Sequence, residues 1–306
     1  MKKLPYHILD VFTDRAFGGN QLAVFTDGRG LSESLMQAIA REMNLSETTF
    51  VLPPRDAKND YWVRIFTPGN ELPMAGHPTI GTAFILARAG FIQPSGPATT
   101  IVFEEGVGPV PVSIGWKEDA PGFIEMRQPL PKFGPRFDDA KSIAEMLSLD
   151  PRDILETNLP MEVVSCGVPF LFVPIGSLAA MERIRFRLDL WERTLRGFAA
   201  ESVFVFTKGG QFAGSAVHSR MFAPGLGVNE DPATGGASGP LGCYLVCHRV
   251  ILSEGELQCV SEQGVELGRP SFIKIRIKHS RDEITEVHVG GMCHYMGAGA
   301  LEVEES

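Results

Sequence analysis

The feature that most constrains this 306-residue chain is that it repeats itself. One segment reads Arg64-Ile65-Phe66-Thr67-Pro68-Gly69, and a later one reads Arg220-Met221-Phe222-Ala223-Pro224-Gly225. Each is followed by a turn of small residues that opens an apolar run. In the first half this is Met74-Ala75-Gly76-His77-Pro78-Thr79-Ile80-Gly81, and in the second Ala233-Thr234-Gly235-Gly236-Ala237-Ser238-Gly239. The arginines are 156 positions apart, and Gly76 and Gly235 are 159 apart. Upstream, Ser46–Val51 parallels Ala200–Val205 at an offset of 154. Three matches in one order at a nearly constant offset imply two homologous lobes.

Each lobe reads as mixed α/β. Tyr6–Val11, Phe50–Leu52, Trp62–Phe66 and Thr100–Phe103 are rich in β-branched and aromatic residues, as strands are. Between the first two, Leu35, Met36, Ile39, Ala40 and Met43 form a helical stripe, with Ser32 or Ser34 as N-cap. A second helix is expected from Pro78, a good first-turn residue, to near Gly90, and its counterpart after Gly235-Gly236 carries Leu241–Val246. The polar turn Glu118-Asp119-Ala120-Pro121-Gly122 marks the junction. The expected domains are therefore 1–118, joined by a C-terminal strand at 296–306, and 119–295.

Composition narrows the function classes. Hydrophobic residues are 44% and charged residues 21%, ordinary globular usage that excludes a disordered chain. A net charge of −9 without a basic cluster argues against nucleic acid as partner. Asp10, Asp14 and Arg15 interrupt any apolar stretch after the two N-terminal lysines, so no signal peptide is expected. The longest uncharged run, Val163–Met181, contains Gly167, Pro169, Pro174 and Gly176 and reads as buried strand and turn rather than a membrane span. Five scattered cysteines (Cys166, Cys243, Cys247, Cys259, Cys293) fit core thiols in a reduced, cytoplasmic protein better than a disulfide framework.

Two small-residue turns that each open a helix suggest an anion site. Backbone N–H groups at a helix N-terminus are unpaired, the helix dipole favours negative charge there, and glycine lets a ligand approach. Paired sites in pseudo-symmetric lobes would meet across a cleft and hold a small carboxylate; the plainer alternative is tight packing of helix on strand. Glu47 follows a helix end and precedes an apolar strand, where partial desolvation would raise its pKa toward the range for acid/base work, although a surface-loop or capping role is the plainer reading of this segment alone. His77 at a helix start would be held neutral and could hydrogen-bond a substrate, or simply serve the helix end. Asp231, before Pro232, suits either an N-cap or a contact to a substrate hydroxyl or amine. Glu201 stands as the second-lobe match of Glu47. Cys243-x-x-x-Cys247-His248 lacks a second ligand pair at zinc spacing, so no metal is expected. There is no P-loop, no placed dinucleotide-binding turn and no G-x-S-x-G.

Taken together, several runs carry a resemblance. They are Phe17-Gly18-Gly19-Asn20-Gln21-Leu22-Ala23-Val24, Met36–Glu42, Leu45-Ser46-Glu47-Thr48-Thr49-Phe50-Val51, Ala75–Gly81 and Asn229-Glu230-Asp231-Pro232-Ala233-Thr234-Gly235. In this order they resemble the phenazine biosynthesis PhzF-like family, of diaminopimelate epimerase-like fold. The resemblance implies an α+β chain of two pseudo-symmetric lobes, each a sheet or barrel wrapped round a central helix. It implies a homodimer without cofactor, Glu47 as proton carrier, His77 and Asp231 as supporting polar groups, and Gly76 and Gly235 as amide donors to a carboxylate. Gly236 stands where the best-characterised branch, which isomerises a dihydro-hydroxyanthranilate, has a serine on the substrate. Related epimerases use one cysteine per lobe just before the turn glycine. Ala75 and Thr234 stand there here, which excludes a two-thiol racemase. The expected activity is a cofactor-independent isomerase moving a proton on a small carboxylate through Glu47. The rivals are a hydrolase or lyase using the same glutamate, and a non-catalytic dimeric ligand-binding module.

Overall fold

The structure, a computed structural model, describes residues 1–280 and 283–304. The chain divides into two compact units, Met1–Arg127 with Val289–Ser306, and Gln128–His288. The last two positions of the expected C-terminal strand, 305 and 306, lie outside the described residues.

The first unit holds β1 (Lys2–Val11), β2 (Asn20–Phe25), α1 (Glu33–Met43), β3 (Glu47–Leu52), β4 (Tyr61–Phe66), β5 (Glu71–Leu72), α2 (Gly76–Arg88), β6 (Ala98–Glu105), β7 (Gly108–Lys117) and β8 (Ala120–Gln128). The second holds β9 (Lys132–Arg136), α3 (Ala140–Leu147), α4 (Arg152–Leu155), β10 (Glu162–Ser165), β11 (Pro169–Pro174), α5 (Leu178–Arg183), α6 (Leu188–Thr194), β12 (Val203–Lys208), β13 (Val217–Ala223), β14 (Val228–Asp231), α7 (Gly235–Cys247), β15 (Glu256–Gln263) and β16 (Ser271–Ser280). Then follow β17 (Glu283–Gly291) and β18 (Cys293–Val303), the latter antiparallel to β1.

Strand pairing shows the repeat directly. In the first unit β1–β2 is antiparallel, β2–β3 parallel, β3–β4 and β4–β5 antiparallel, β4–β6 parallel and β6–β7 antiparallel. In the second the same senses recur in the same order, from β10–β11 through β11–β12, β12–β13, β13–β14 and β13–β15 to β15–β16. The sheet of each unit packs against one central helix. α2 meets β1, β2, β3 and β7, and α7 meets β10, β11, β15 and β16. A helix enclosed this way must be apolar all round. Gly76 through Ala87 are all buried, as are Gly235 through Leu245. Gly81 makes the close approach possible, because a Cβ there would lie 2.5 Å from Leu22 Cδ2.

Local chemistry sets the ends of α1. Ser32 Oγ accepts the Leu35 N–H at 3.2 Å, which settles the N-cap on Ser32 rather than Ser34. Asn44 ends the helix in the left-handed region, and Met36, Ile39 and Ala40 face the core. α2 starts at Gly76, two residues before the expected Pro78, because the small residues already have helical backbone. The expected boundary at 118/119 also moves. Glu118 and Asp119, both at positive φ (50° and 63°), form the two-residue turn of the β7–β8 hairpin, with Lys117 opposite Ala120. Such turns match strand twist, so the polar stretch is a hairpin tip and not a linker. The chain changes unit after Arg127 and returns at Val289 rather than 296.

Candidate active site

The six expected site residues fall into two groups, one per unit. In the first unit Glu47 opens β3, and Gly76 and His77 open α2. His77 Nε2 lies 3.2 Å from Glu47 Oε2, with the two side chains only 3% and 12% exposed. Asn20, the first residue of β2, places its amide Nδ2 3.1 Å from His77 Nδ1. The ring donates to the Gln21 backbone, and Nε2 and the Glu47 oxygen, though close, make no aligned hydrogen bond to each other. Burial pushes His77 down to about 3, and a hydrogen bond with the Gln21 backbone only partly opposes this. The imidazole is therefore neutral, and its contact with the Glu47 carboxyl is not an ion pair.

The residue before α2, Ala75, offers no capping side chain. The first-turn N–H groups of Gly76 and His77 thus have no side-chain cap to satisfy them, which suits an anion. Inside the turn, Thr79 Oγ1 lies 2.6 Å from the Ala75 carbonyl and 2.6 Å from Glu105 Oε1.

In the second unit Asp231 ends β14, and Gly235 and Gly236 open α7. Thr234 Oγ1 donates to Asp231 Oδ2 at 2.6 Å. Gln263 accepts the Thr234 N–H through Oε1 at 3.0 Å and donates through Nε2 to the Asp231 carbonyl at 2.7 Å. Gln128 Nε2 donates to the Gly235 carbonyl at 2.9 Å. Asp231 is 3% exposed, held inside this network rather than on a surface loop.

Strand register corrects one expectation. Phe50 lies opposite Arg64, and Val205, not Phe204, lies opposite Arg220. Ser202 rather than Glu201 therefore stands where Glu47 stands, since a one-residue slip turns a side chain to the other face. Glu201 instead accepts the Gly197 N–H at 2.8 Å, outside β12. With Gly236 at the place of His77, the second unit carries neither a carboxylate nor an imidazole at the matching positions.

Asn20, Gln263, Gln128 and Glu105 were not singled out from sequence. Two of them had a readable signal. Glu104-Glu105-Gly106 and Glu262-Gln263-Gly264 repeat at an offset of 158. In both units the first glutamate accepts two consecutive loop N–H groups, Arg55 and Asp56 in one, Gln211 and Phe212 in the other. A separate concavity of about 500 Å³ beside Arg55, Trp62 and Arg64 does not include Glu47 or His77. Its cations are already paired, Arg64 with Glu33 and Glu71 and Arg55 with Glu104. Among the described residues no group of three or more His, Cys, Asp or Glu side chains is placed to hold a metal, and no helix is long and apolar enough to cross a membrane.

The family described as phenazine biosynthesis-like protein matches over residues 9–299. The chain belongs to that family. A trans-2,3-dihydro-3-hydroxyanthranilate isomerase of Pseudomonas chlororaphis is 36% identical, over 97% of this chain and 98% of its own length. An uncharacterized isomerase of Mesorhizobium japonicum is also 36% identical, over 98% of this chain and 99% of its own. The crystal structure of a PhzF-family phenazine biosynthesis protein from Bacillus anthracis superposes with a TM-score of 0.88 at 27% identity, covering 99% of this chain and all of the other. This phenazine biosynthesis-like chain is accordingly an isomerase with the two-lobe α+β fold.

Proposed function

We propose that the chain isomerises a small carboxylate-bearing substrate without a cofactor, with Glu47 taking a proton from one carbon and returning it to another. The observation that carries this reading is the Glu47 carboxylate, nearly buried, 3.2 Å from the neutral imidazole of His77. A neutral imidazole this close brings no charge to neutralise the carboxylate, so the oxygen can act as a base. The amides at Gly76 in the first unit and at Gly235 in the second are the proposed anion donors, of the kind that stabilises charge developing during transfer. Asp231 would meet a polar substituent of the substrate.

A single base favours a proton shift on one face over direct inversion. Ser202, Thr234 and Gly236 offer no second base at the matching positions of the other unit. The dihydro-hydroxyanthranilate named for the Pseudomonas relative is the first substrate to test. Gly236 supplies no hydroxyl, so a related but differently substituted carboxylate is the alternative within the same chemistry. By resemblance the chain acts as a cytoplasmic homodimer, which sedimentation of the purified protein checks.

The decisive experiment runs the reaction in deuterated water over that compound and a panel of small unsaturated carboxylates, with NMR locating the label. Label on one face of one carbon is expected. Glu47→Gln should lower turnover by at least ~10²–10⁴-fold with the fold intact. Wild-type turnover by that variant, or clean inversion at one stereocentre, would sink the reading.

A further inference from the structure

Glu105 ends β6 with its carboxyl fully buried, 1% exposed, and its Oε1 lies 2.6 Å from Thr79 Oγ1 in the first turn of α2. The same hydroxyl lies 2.6 Å from the carbonyl of Ala75, the residue just before the helix. A threonine hydroxyl has one proton, and a backbone carbonyl can only accept. If Thr79 donates to Ala75, the short contact to Glu105 needs a proton from Glu105. An ionised Glu105 would compete for the Thr79 proton and leave two acceptors facing each other over one hydrogen.

The second unit supplies an independent comparison, because the register that pairs Trp62 with Glu104 pairs His218 with Glu262. The residue after Glu262, at the place of Glu105, is Gln263, an amide of the same shape that can never ionise. Its surroundings repeat as well. Ser238 Oγ donates to the Thr234 carbonyl at 2.9 Å, as Thr79 does to Ala75, and Gln263 holds Thr234 directly. Each hairpin then presses a glycine onto the proline ahead of its helix. A Cβ on Gly106 would lie 2.7 Å from Pro73 Cα, and one on Gly264 2.5 Å from the Pro232 carbonyl.

We propose that Glu105 is a positioning residue that works as an un-ionised carboxylic acid, donating to Thr79 so that Thr79 can hold the Ala75 carbonyl and the Gly76–His77 turn. This rests on the reading that places Gly76 and His77 in the active site. Burial pushes Glu105 up to about 8, and only a bond in which Thr79 were the donor would pull it back. The titratable groups nearby do not compensate a charge on it. His77 on α2 is neutral, while Glu104 on the same strand is engaged with the loop at Arg55 and Asp56. A neutral acid also keeps negative charge away from a helix end that has to receive an anion.

The test follows the Glu105 carboxyl carbon and the Gly76 and His77 amides by NMR against pH in the intact protein, its carboxyl signal assigned by its loss in Glu105→Gln. The carboxyl should be protonated at pH 7 with a midpoint near 8. Wild-type Gly76 and His77 signals should move above that midpoint, Glu105→Gln should hold them at their neutral-pH positions throughout, and Glu105→Ala should displace them at every pH. A carboxyl that titrates near its ordinary 4.5, or displaced turn signals in Glu105→Gln, would overturn the proposal, as would unmoved signals in Glu105→Ala. If Glu105→Ala does not fold, the midpoint and the Gln variant decide alone. None of these signals depends on turnover, so failure of the Glu47 reading would leave them unchanged.

Discussion

His77 shows how burial selects a protonation state. Its folded value lies near 3 against an ordinary 6.5, so below pH 6.5 the unfolded chain takes up a proton that the folded one refuses. This site's contribution to stability is therefore complete above about 6.5 and is lost as pH falls toward 3. In urea unfolding between pH 4.5 and 7.5, wild type should lose on the order of 1 kcal/mol per pH unit more than His77→Asn on the acid side. Parallel slopes would mean that folding leaves the titration of the imidazole unchanged. The same neutrality predicts that no limb of the pH–rate profile between 5 and 8 is due to His77.

At the scale of elements, α2 is set against the sheet by one close approach. Gly81 lets it lie against β1 and β2, with a Cβ there meeting Leu22 Cδ2 at 2.5 Å and Val11 Cγ2 at 2.8 Å. Gly81→Ala should overpack this contact, cost about 1–3 kcal/mol in denaturant unfolding, and lower turnover by shifting Gly76 and His77. α1 provides a contrast, because its cap is exposed and remote from the α2 turn in sequence. Ser32→Ala should remove the bond to Leu35 N–H and cost about 0.5–2 kcal/mol while leaving turnover unchanged. Loss of activity in Ser32→Ala without loss of stability would show that α1 bears on the site.

For the molecule as a whole, duplication followed by divergence divides the roles. The Arg–Glu pair between the fourth and fifth strands of the repeat is kept in both units, Arg64 with Glu71 and Arg220 with Glu230. Arg220 is 6% exposed, so Glu230→Ala would strand a buried charge at a cost of about 3–5 kcal/mol, measurable by calorimetry or urea. The thiols lie outside the proposed chemistry. All five cysteines are thiols rather than disulfide halves, and burial raises Cys259 to about 12 and Cys243 and Cys293 well above their usual value. A thiol reagent should react slowly with the native protein, find five groups after denaturation, and leave isomerisation intact when briefly applied. Fast inactivation by such a reagent would reopen a thiol mechanism.

The sequence by itself determined the duplication, the two central helices and the six residues first considered for the site, because each leaves a local trace. Apolar periodicity, small-residue turns and a repeated Arg-x-Phe-x-Pro-Gly run are all properties of neighbours along the chain. Tertiary structure decided what depends on partners distant in sequence. The one-residue shift that puts Ser202 rather than Glu201 at the place of Glu47 is set by pairing with β13, across some fifteen residues. The hairpin at Glu118-Asp119 passed for a linker because polar turn residues serve both, and only pairing with β7 distinguishes them. The neutral state of His77 and the 57 positions that separate it from Asn20 lie beyond any local pattern. A protonation state depends on how much water the fold removes, which no side chain carries alone.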